Sequence, residues 1–191
     1  MKVVISETKF QKMLDAIKNG VSKSGNRPFL SYIRLKIQQG NITAMVCDGY
    51  SGARFTIYEN NGDGEDFVCL IKPISFKASK CGNSYVSIEL LDGEAVLSVP
   101  TEFGNLTYRF RQNIEWDEKL DGIFDKMTHH DREIGVTAAY MARIMNNFAR
   151  VSNSRNNATV IESKDSKLEG FRMYAIDREF EFEQFLLPVR M

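Results

Sequence analysis

Apolar positions along the chain repeat with two periods, one typical of helices and one typical of strands. In residues 136–151 the apolar side chains recur at the spacing of one helical face. Thr137 is expected to cap the first turn, because its hydroxyl can accept a hydrogen bond from a free backbone amide. We therefore predict an amphipathic helix with an apolar face and a basic face that lacks acidic residues. The predicted apolar face consists of Tyr140, Met141, Ile144, Met145, Phe148 and Val151, and the predicted polar face consists of Arg143, Asn146, Asn147 and Arg150.

A first segment with the same design begins at the N-terminus. Residues 2–6 form an apolar stretch that predicts a strand, and Ser6 can cap a helix that runs to about Val21. Alternation of apolar and polar residues then predicts three strands, with Gln39-Gly40-Asn41 as a hairpin turn. These three strands are expected at residues 32–37, 42–47 and 54–58.

A second segment repeats this order. Residues 67–71 predict a strand, and a short helix is expected between Pro73 at its first position and Gly82 just past its end. Asp92-Gly93 is a strong hairpin signal between two apolar stretches. The three strands after this helix are expected at residues 86–91, 94–99 and 106–110.

The third segment combines the helix at 136–151 with a preceding strand at 133–136. The chain is thus expected to contain three units, each of one strand, one helix and three strands. Twelve short, largely antiparallel strands with helices on one face indicate an α+β fold. We predict a two-unit domain at residues 1–115, a linker at 116–131 and a half-domain at 132–191. The last three strands are expected at residues 158–162, 171–176 and 181–190.

The charge distribution favours a basic surface although the formal net charge is zero. Each of the three predicted helical stretches carries three net positive charges, so the remaining residues are acidic overall. These stretches are residues 9–23, 72–80 and 136–155. Charge separated in this way can create a nucleic-acid-binding face on a neutral protein. For a single helix, the alternative is that its lysines only keep a surface face hydrated.

Several function classes find little support. No apolar stretch is long enough to span a membrane, and the N-terminus does not read as a signal peptide, which favours a cytoplasmic protein with reduced cysteines at positions 47, 69 and 81. No nucleotide-binding or serine-hydrolase motif is present, and we expect no cofactor.

A metal site could be formed by His129, His130 and Asp131. Adjacent residues on an extended segment point apart, however, so a hydrated linker is favoured. Asp48 precedes Gly49 and is interpreted as a turn residue rather than a catalytic acid.

The repeated unit resembles the half-domain of DNA sliding clamps. Specific stretches are similar to the bacterial clamp, the beta subunit of DNA polymerase III. Residues 21–23 and 27–30 resemble the segment after the helix of its middle domain. Residues 46–50, VCDGY, resemble its TDGHR segment, with Cys47, Tyr50 and Ser51 as departures. The C-terminal residues 186–191, LLPVRM, resemble its terminal VMPMRL.

The resemblance implies a non-enzymatic processivity factor that encircles double-stranded DNA without reading its sequence. Helices would line the hole, and polymerase and clamp loader would bind a hydrophobic pocket through a short peptide motif. A ring of twelve units would need four of these three-unit chains, so a homo-oligomer, a tetrameric ring, is expected. The implied DNA-contacting residues are Lys12, Lys18, Lys23, Lys77, Lys80, Arg143, Arg150 and Arg155. The implied peptide pocket consists of Leu30, Gly49, Tyr50, Leu187, Pro188, Val189, Arg190 and Met191.

Two alternatives stay open. The first is a clamp-like regulatory module that pairs with a host clamp or polymerase without encircling DNA. The second is a nuclease or other metal enzyme that uses His129, His130 and Asp131. For the pocket, the alternative is that the apolar C-terminal residues only close the final sheet.

Overall fold

The structure is a computed structural model that describes the chain in ten stretches. These stretches are residues 1–23, 26–49, 51–58, 65–77, 84–102, 104–122, 138–151, 160–163, 171–176 and 180–186.

The strands of the first two repeats form close to their predicted positions. The first repeat comprises β1 (Lys2–Ser6), α1 (Glu7–Ile17), β2 (Ile33–Gln38), β3 (Asn41–Cys47) and β4 (Ser51–Ile57). The second repeat comprises β5 (Phe67–Ile71), β6 (Tyr85–Leu91), β7 (Glu94–Thr101) and β8 (Gly104–Arg111). Both predicted hairpin turns are confirmed. Gly40 and Gly93 each have positive φ and follow a residue with positive φ, which matches the twist of the joined strands.

Helix α1 is shorter than predicted. Ser6 occupies the N-cap position, but its hydroxyl lies 3.3 Å from the Thr8 hydroxyl and makes no capping bond to the backbone. The helix ends at Ile17, and a single 3-10 turn, Lys18–Gly20, replaces its predicted last turn. Asn and Gly are poor helix formers, which accounts for the early end.

The helix predicted from Pro73 is wrong for the residues that the structure describes. Residues 72–77 are neither helix nor strand, and residues 78–83 lie outside the described part. The ring of Phe76 stacks on Phe10 of α1 with 6.2 Å between centroids, and Gln11 Nε2 donates to the Phe76 carbonyl at 3.0 Å. These contacts with α1 favour an irregular path, and such tertiary contacts override local helix signals.

The third repeat follows the predicted order where the structure describes it. It comprises α2 (Ala138–Val151), β9 (Val160–Ser163), β10 (Phe171–Ile176) and β11 (Phe180–Leu186). The predicted strand at 133–136 and the residues from 187 onward lie outside the described part.

The strands form two antiparallel sheets that bind the repeats together. One sheet has the order β1-β6-β7-β8, and the other has the order β5-β2-β3-β4-β11-β10-β9. The first two repeats exchange their first strands, because β1 pairs with β6 and β5 pairs with β2. The third repeat continues the sheet of the first through the β4–β11 pair. The α+β architecture of antiparallel sheets is as predicted.

The main core lies between the helices and the inner faces of the sheets. Phe10 and Ile17 of α1 are fully buried. The Phe182 ring of β11 lies 5.6 Å from Phe55 of β4 and 4.8 Å from Phe148 of α2, measured between centroids. This aromatic contact joins the first and third repeats beneath the sheet.

Helix α2 is rotated relative to the orientation that its apolar periodicity predicts. Asn147, predicted on the polar face, is 1% exposed, whereas Met145, predicted on the apolar face, is 45% exposed. Ala142 and Asn146 are also exposed, so the described solvent-facing side of α2 is uncharged. The rotation follows from packing on α1 and β11, which selects the face that carries Ile144 and Phe148.

The start of the predicted linker lies on the outer face of the seven-stranded sheet. Trp116 and Leu120 pack there, and Arg34 of β2 forms an ion pair with Asp121 at 2.8 Å. The predicted domain boundaries stay predictions. No helix in the described stretches has the length and apolar character needed to cross a membrane.

Candidate DNA-facing and partner-binding surfaces

Several of the predicted DNA-contacting lysines lie on or beside α1. Lys12 is half-buried on the helix, and Lys18 forms an ion pair with a carboxylate one turn before it. Lys23 and Lys77 are exposed. Lys77 follows Phe76, which stacks on α1, so it lies near the same helix. Lys12 and Lys18 thus lie on or directly after α1 and Lys77 lies near it, while the contact of all four lysines with DNA stays a prediction.

The remaining predicted DNA contacts belong to the third repeat or lie outside the described residues. Arg143 and Arg150 are in α2, and Lys80 and Arg155 fall in stretches that the structure does not describe. The Arg143 guanidinium lies over the Tyr140 ring, 5.1 Å from its centroid.

Arg143 connects α2 to the turn between β3 and β4. Its Nη2 atom donates to Asp48 Oδ2 at 2.8 Å and also bonds the Ser51 hydroxyl. Arg143 is 27% and Asp48 12% exposed, so the ion pair is partly shielded from water. Charge-assisted hydrogen bonds of this kind are stronger than neutral ones. This arrangement gives Arg143 a positioning role that the sequence did not indicate.

The turn itself is built as the sequence predicted for Asp48. Asp48 Oδ1 accepts from the backbone amide of Ser51 at 2.8 Å, and the Asp48 amide donates to the Ser51 carbonyl at 3.0 Å. Gly49 has a φ of +93°, which L side chains rarely adopt. The Gly49 amide also faces Cys47 Sγ at 3.3 Å. Asp48 is therefore a turn-forming residue.

An apolar cluster on the outer face of the seven-stranded sheet lies next to this turn. Cys47 and Gly52 are opposite each other on β3 and β4, and Phe185 of β11 faces Gly52. Leu30 covers them, and a Cβ placed on Gly49 would be 3.7 Å from Leu30 Cδ1. We call this the outer cluster; it consists of Leu30, Met45, Cys47 and Phe185, with Phe29, Trp116 and Leu120 packed against it.

The β4–β11 pair positions the outer cluster and leads to the C-terminal residues. A Cβ on Gly52 would lie 2.1 Å from Phe185 Cε1, so the ring packs directly on the Gly52 backbone. In the next pair along the same face, Arg54 Nε bonds the buried carboxylate of Glu183. Further on, the Tyr58 hydroxyl donates to Glu181 Oε2 at 2.8 Å. Burial and this hydrogen bond raise the pKa of Tyr58.

Cys47 and Cys69, the cysteines in the described stretches, are buried and are poor nucleophiles. Burial raises the pKa of Cys47 to about 11 and that of Cys69 to about 12. Both thiols are therefore protonated at neutral pH. Because the thiolate is the reactive form, neither is a good nucleophile. Cys47 therefore contributes apolar contact to the outer cluster rather than chemistry.

The structure brings together the described members of the predicted peptide pocket. Leu30 and Gly49 are neighbours, whereas Tyr50 and residues 187–191 lie outside the described part. Sequence reasoning did not assign Phe185 to the pocket, although it belongs to the same surface. Its spacing of two residues from Glu183 was a usable signal, because it places Phe185 on the same outer face as the glutamates of β11.

No group of metal-ligating side chains occurs within the described stretches. His129, His130 and Asp131 fall outside them, so the alternative metal site is not described.

The arrangement of strands and helices is that of DNA sliding clamps. The whole chain aligns with the beta chain of DNA polymerase III from Streptococcus pneumoniae at a TM-score of 0.70 and 12% identity, covering 65% of that chain. It aligns with the sliding clamp from Bacillus subtilis at 0.66 and 13% identity, covering 64%. It aligns with the DNA polymerase III beta subunit from Pseudomonas aeruginosa at 0.63 and 12% identity, covering 66%.

These similarities confirm the clamp fold and the resemblance to the bacterial clamp inferred from short motifs. The chain spans about two thirds of the length of these solved structures. No protein-family profile and no curated protein match the sequence.

Proposed function

We propose that this chain is a subunit of a DNA sliding clamp, a non-catalytic processivity factor that encircles duplex DNA. The supporting observation is that the entire chain adopts the clamp fold, including the sheet that runs from the first repeat into the third. Continuous sheets of this kind join the units of a closed ring. In such a ring the tether is topological and needs no tight contact with DNA.

The lysines around α1 would face the DNA. Exposed Lys23 and Lys77, with Lys12 and Lys18 on or beside α1, can approach phosphates without reading base edges. Binding of this kind is weak and salt-sensitive, which suits a protein that slides. Arg143 and Arg150 extend the proposed surface onto α2, where Arg143 also holds the Asp48 turn.

The outer cluster would form the floor of the partner site. Leu30 and Phe185 are buried beside the hydrogen-bonded Asp48 turn and would support the site from beneath, and residues 187–191 follow β11 directly. A short peptide of the polymerase or clamp loader would place apolar anchors there. Deleting residues 187–191 should abolish binding of a peptide that carries the clamp-binding motif of a bacterial replicative polymerase. Unchanged binding would refute the pocket.

The ring would contain twelve repeats and therefore four copies of this chain. Light scattering at several protein concentrations and two salt concentrations tests this directly. A particle of about four chains supports a self-sufficient ring. A stable monomer at all concentrations contradicts the ring and favours a different partner.

A clamp-like regulatory module is the second candidate, and one observation favours it. Arg143 of α2 is engaged in an ion pair with Asp48 within the chain, so its charge is less available to DNA than the sequence suggests. Such a module would stay monomeric and bind tightly to a clamp or polymerase of another kind. Mixing the chain with a bacterial clamp and measuring the mass of the complex separates the two candidates.

A further inference from the structure

Strand β8 is an open sheet edge with no partner on one side among the described residues. It pairs with β7 from Thr101↔Gly104 to Glu94↔Arg111, and β7 is its only described neighbour. Six of its eight residues are exposed. By contrast, β4, the final strand of the first repeat, has a neighbour on both sides. An uncovered edge of this length is a template for pairing with another chain.

The hydrogen-bonding groups on this edge can be assigned from the β7–β8 pair. The Gln112 amide donates to the Gly93 carbonyl at 2.9 Å, so residue 112 points toward β7. Because antiparallel bonding alternates along a strand, Asn105, Thr107 and Arg109 point their amides and carbonyls toward the open side. The edge contains no proline that would block pairing.

The side chains of β8 also fit an extended sheet. Leu106, Tyr108 and Phe110 share the core-side face with the buried β7 residues that they pair with, yet Leu106 is 45% exposed. The rings of Tyr108 and Phe110 stack with 6.4 Å between centroids. A further strand would continue this apolar row and cover part of it.

The chain already joins two repeats in this way. Strands β4 and β11, each the final strand of its repeat, pair antiparallel from Ser51↔Leu186 to Ile57↔Phe180. The pair carries aromatic contact on the inner face and the Arg54–Glu183 ion pair on the outer face. This fold therefore accommodates a joint in which the final strands of two repeats pair with each other.

We propose that β8 pairs antiparallel with β8 of a second copy, with Thr107 facing Thr107. In this register seven residues pair on each strand, Leu106 faces Tyr108, and Asn105 faces Arg109 of the second copy. Centring the pair on Tyr108 keeps seven residues but brings the two Arg109 side chains closer. Centring it on Arg109 places like charges directly opposite, which destabilises a strand pair.

The charge of the edge is compatible with self-pairing. Arg109 and Arg111 lie 3.4 and 3.9 Å from the carboxylate of Glu94 on β7, which balances part of their charge within each copy. This joint would be one of those that close the proposed ring, and its meaning for DNA rests on that function. The pairing itself can be tested without DNA.

Cysteine cross-linking tests both the pairing and its register. In the proposed register the two residues at position 107 form a hydrogen-bonded pair with Cα atoms about 5.5 Å apart, within disulfide range. Thr107→Cys should give a covalent dimer under mild oxidation that reductant reverses. Asn105→Cys and Arg109→Cys are matched controls, because each lies about 13 Å along the strand from its own copy. The unsubstituted chain controls for the native cysteines. No dimer with Thr107→Cys, or equal dimer at all three positions, would overturn the proposal.

A second variant separates pairing from covalent trapping. Thr107→Pro removes an amide that faces the open edge and leaves the β7–β8 bonds intact, so the folded chain should show a lower native mass. An unchanged mass with native circular dichroism would contradict the β8 joint. A cross-linked dimer that is not retained on DNA would overturn the proposed ring but not the β8 joint. Retention on DNA without a cross-link would overturn the β8 joint alone.

Discussion

Replacing Gly52 by alanine should weaken the joint between the first and third repeats. The new Cβ would lie 2.1 Å from Phe185 Cε1 and 2.5 Å from Cζ. Carbon atoms in contact prefer a separation of about 3.5 Å, so the ring would have to retreat by about 1.4 Å. The ring has little room to do so, because Phe185 is 1% exposed and packs in the outer cluster. Overpacking of this kind costs about 1–3 kcal/mol.

A double-mutant cycle measures whether this contact is the cause. Phe185→Ala alone should lower the free energy of unfolding by about 3–5 kcal/mol, because it empties a buried site. In the double variant the added methyl group enters the vacated space. The double variant should therefore be destabilised by about 1–2 kcal/mol less than the sum of the two single variants. Urea unfolding followed by circular dichroism gives all four values. Strict additivity, or an unaffected Gly52→Ala chain, would refute the packing argument.

Three further predictions concern the ion pair, the thiol and the lysines. Arg143→Ala should lower the free energy of unfolding by about 1–2 kcal/mol through the lost bonds to Asp48; an unchanged urea midpoint would contradict this. Burial raises the folded pKa of Cys47 to about 11, so the unfolded chain loses this proton first. Cys47 should therefore contribute a loss of about 1.4 kcal/mol of stability per pH unit as pH rises from 9 to 11, and Cys47→Ala should reduce the slope of pH-dependent unfolding by that amount. Lys23→Glu and Lys77→Glu should each weaken duplex DNA binding and lower its logarithmic salt dependence by about one unit, whereas a slope equal to that of the parent chain would remove them from the DNA face.

The strand order was predictable because the apolar periodicity and the turn residues agree. Asp92-Gly93 and Gln39-Gly40 adopt the positive φ angles that their hairpins need. Each of these signals is local, and local signals are what a single sequence carries most clearly. The pairing of β1 with β6 and of β5 with β2 was not predictable, because exchange of first strands depends on contacts distant in sequence.

In the helical segments, tertiary packing overrides the local sequence signals. Pro73 is a good first residue for a helix, yet Phe76 packs on Phe10 and the described residues 72–77 stay irregular. In α2, periodicity alone assigned Met145 to the buried side and Asn147 to the polar side, and the structure reverses both. The apolar stripe of α2 is broad, so its spacing does not define a single buried face.

The candidate site was predictable in part. Leu30 and Gly49 were identified through a resemblance in short motifs, and they are neighbours in the structure. Phe185 was not identified because its role depends on Gly52 of another strand. Glycine has no side chain, which leaves room for the Phe185 ring. Arg143 was assigned to DNA from the charge of its helix, whereas its bond to Asp48 joins residues 95 positions apart.

Retention on circular DNA tests the central claim most directly. The chain would be concentrated with a nicked circular plasmid, diluted into high salt, and separated from free protein by gel filtration before and after the plasmid is cut. A closed ring predicts that protein stays with circular DNA at high salt and is lost once the DNA has ends. Equal loss from circular and linear DNA would contradict encirclement and with it the proposed function.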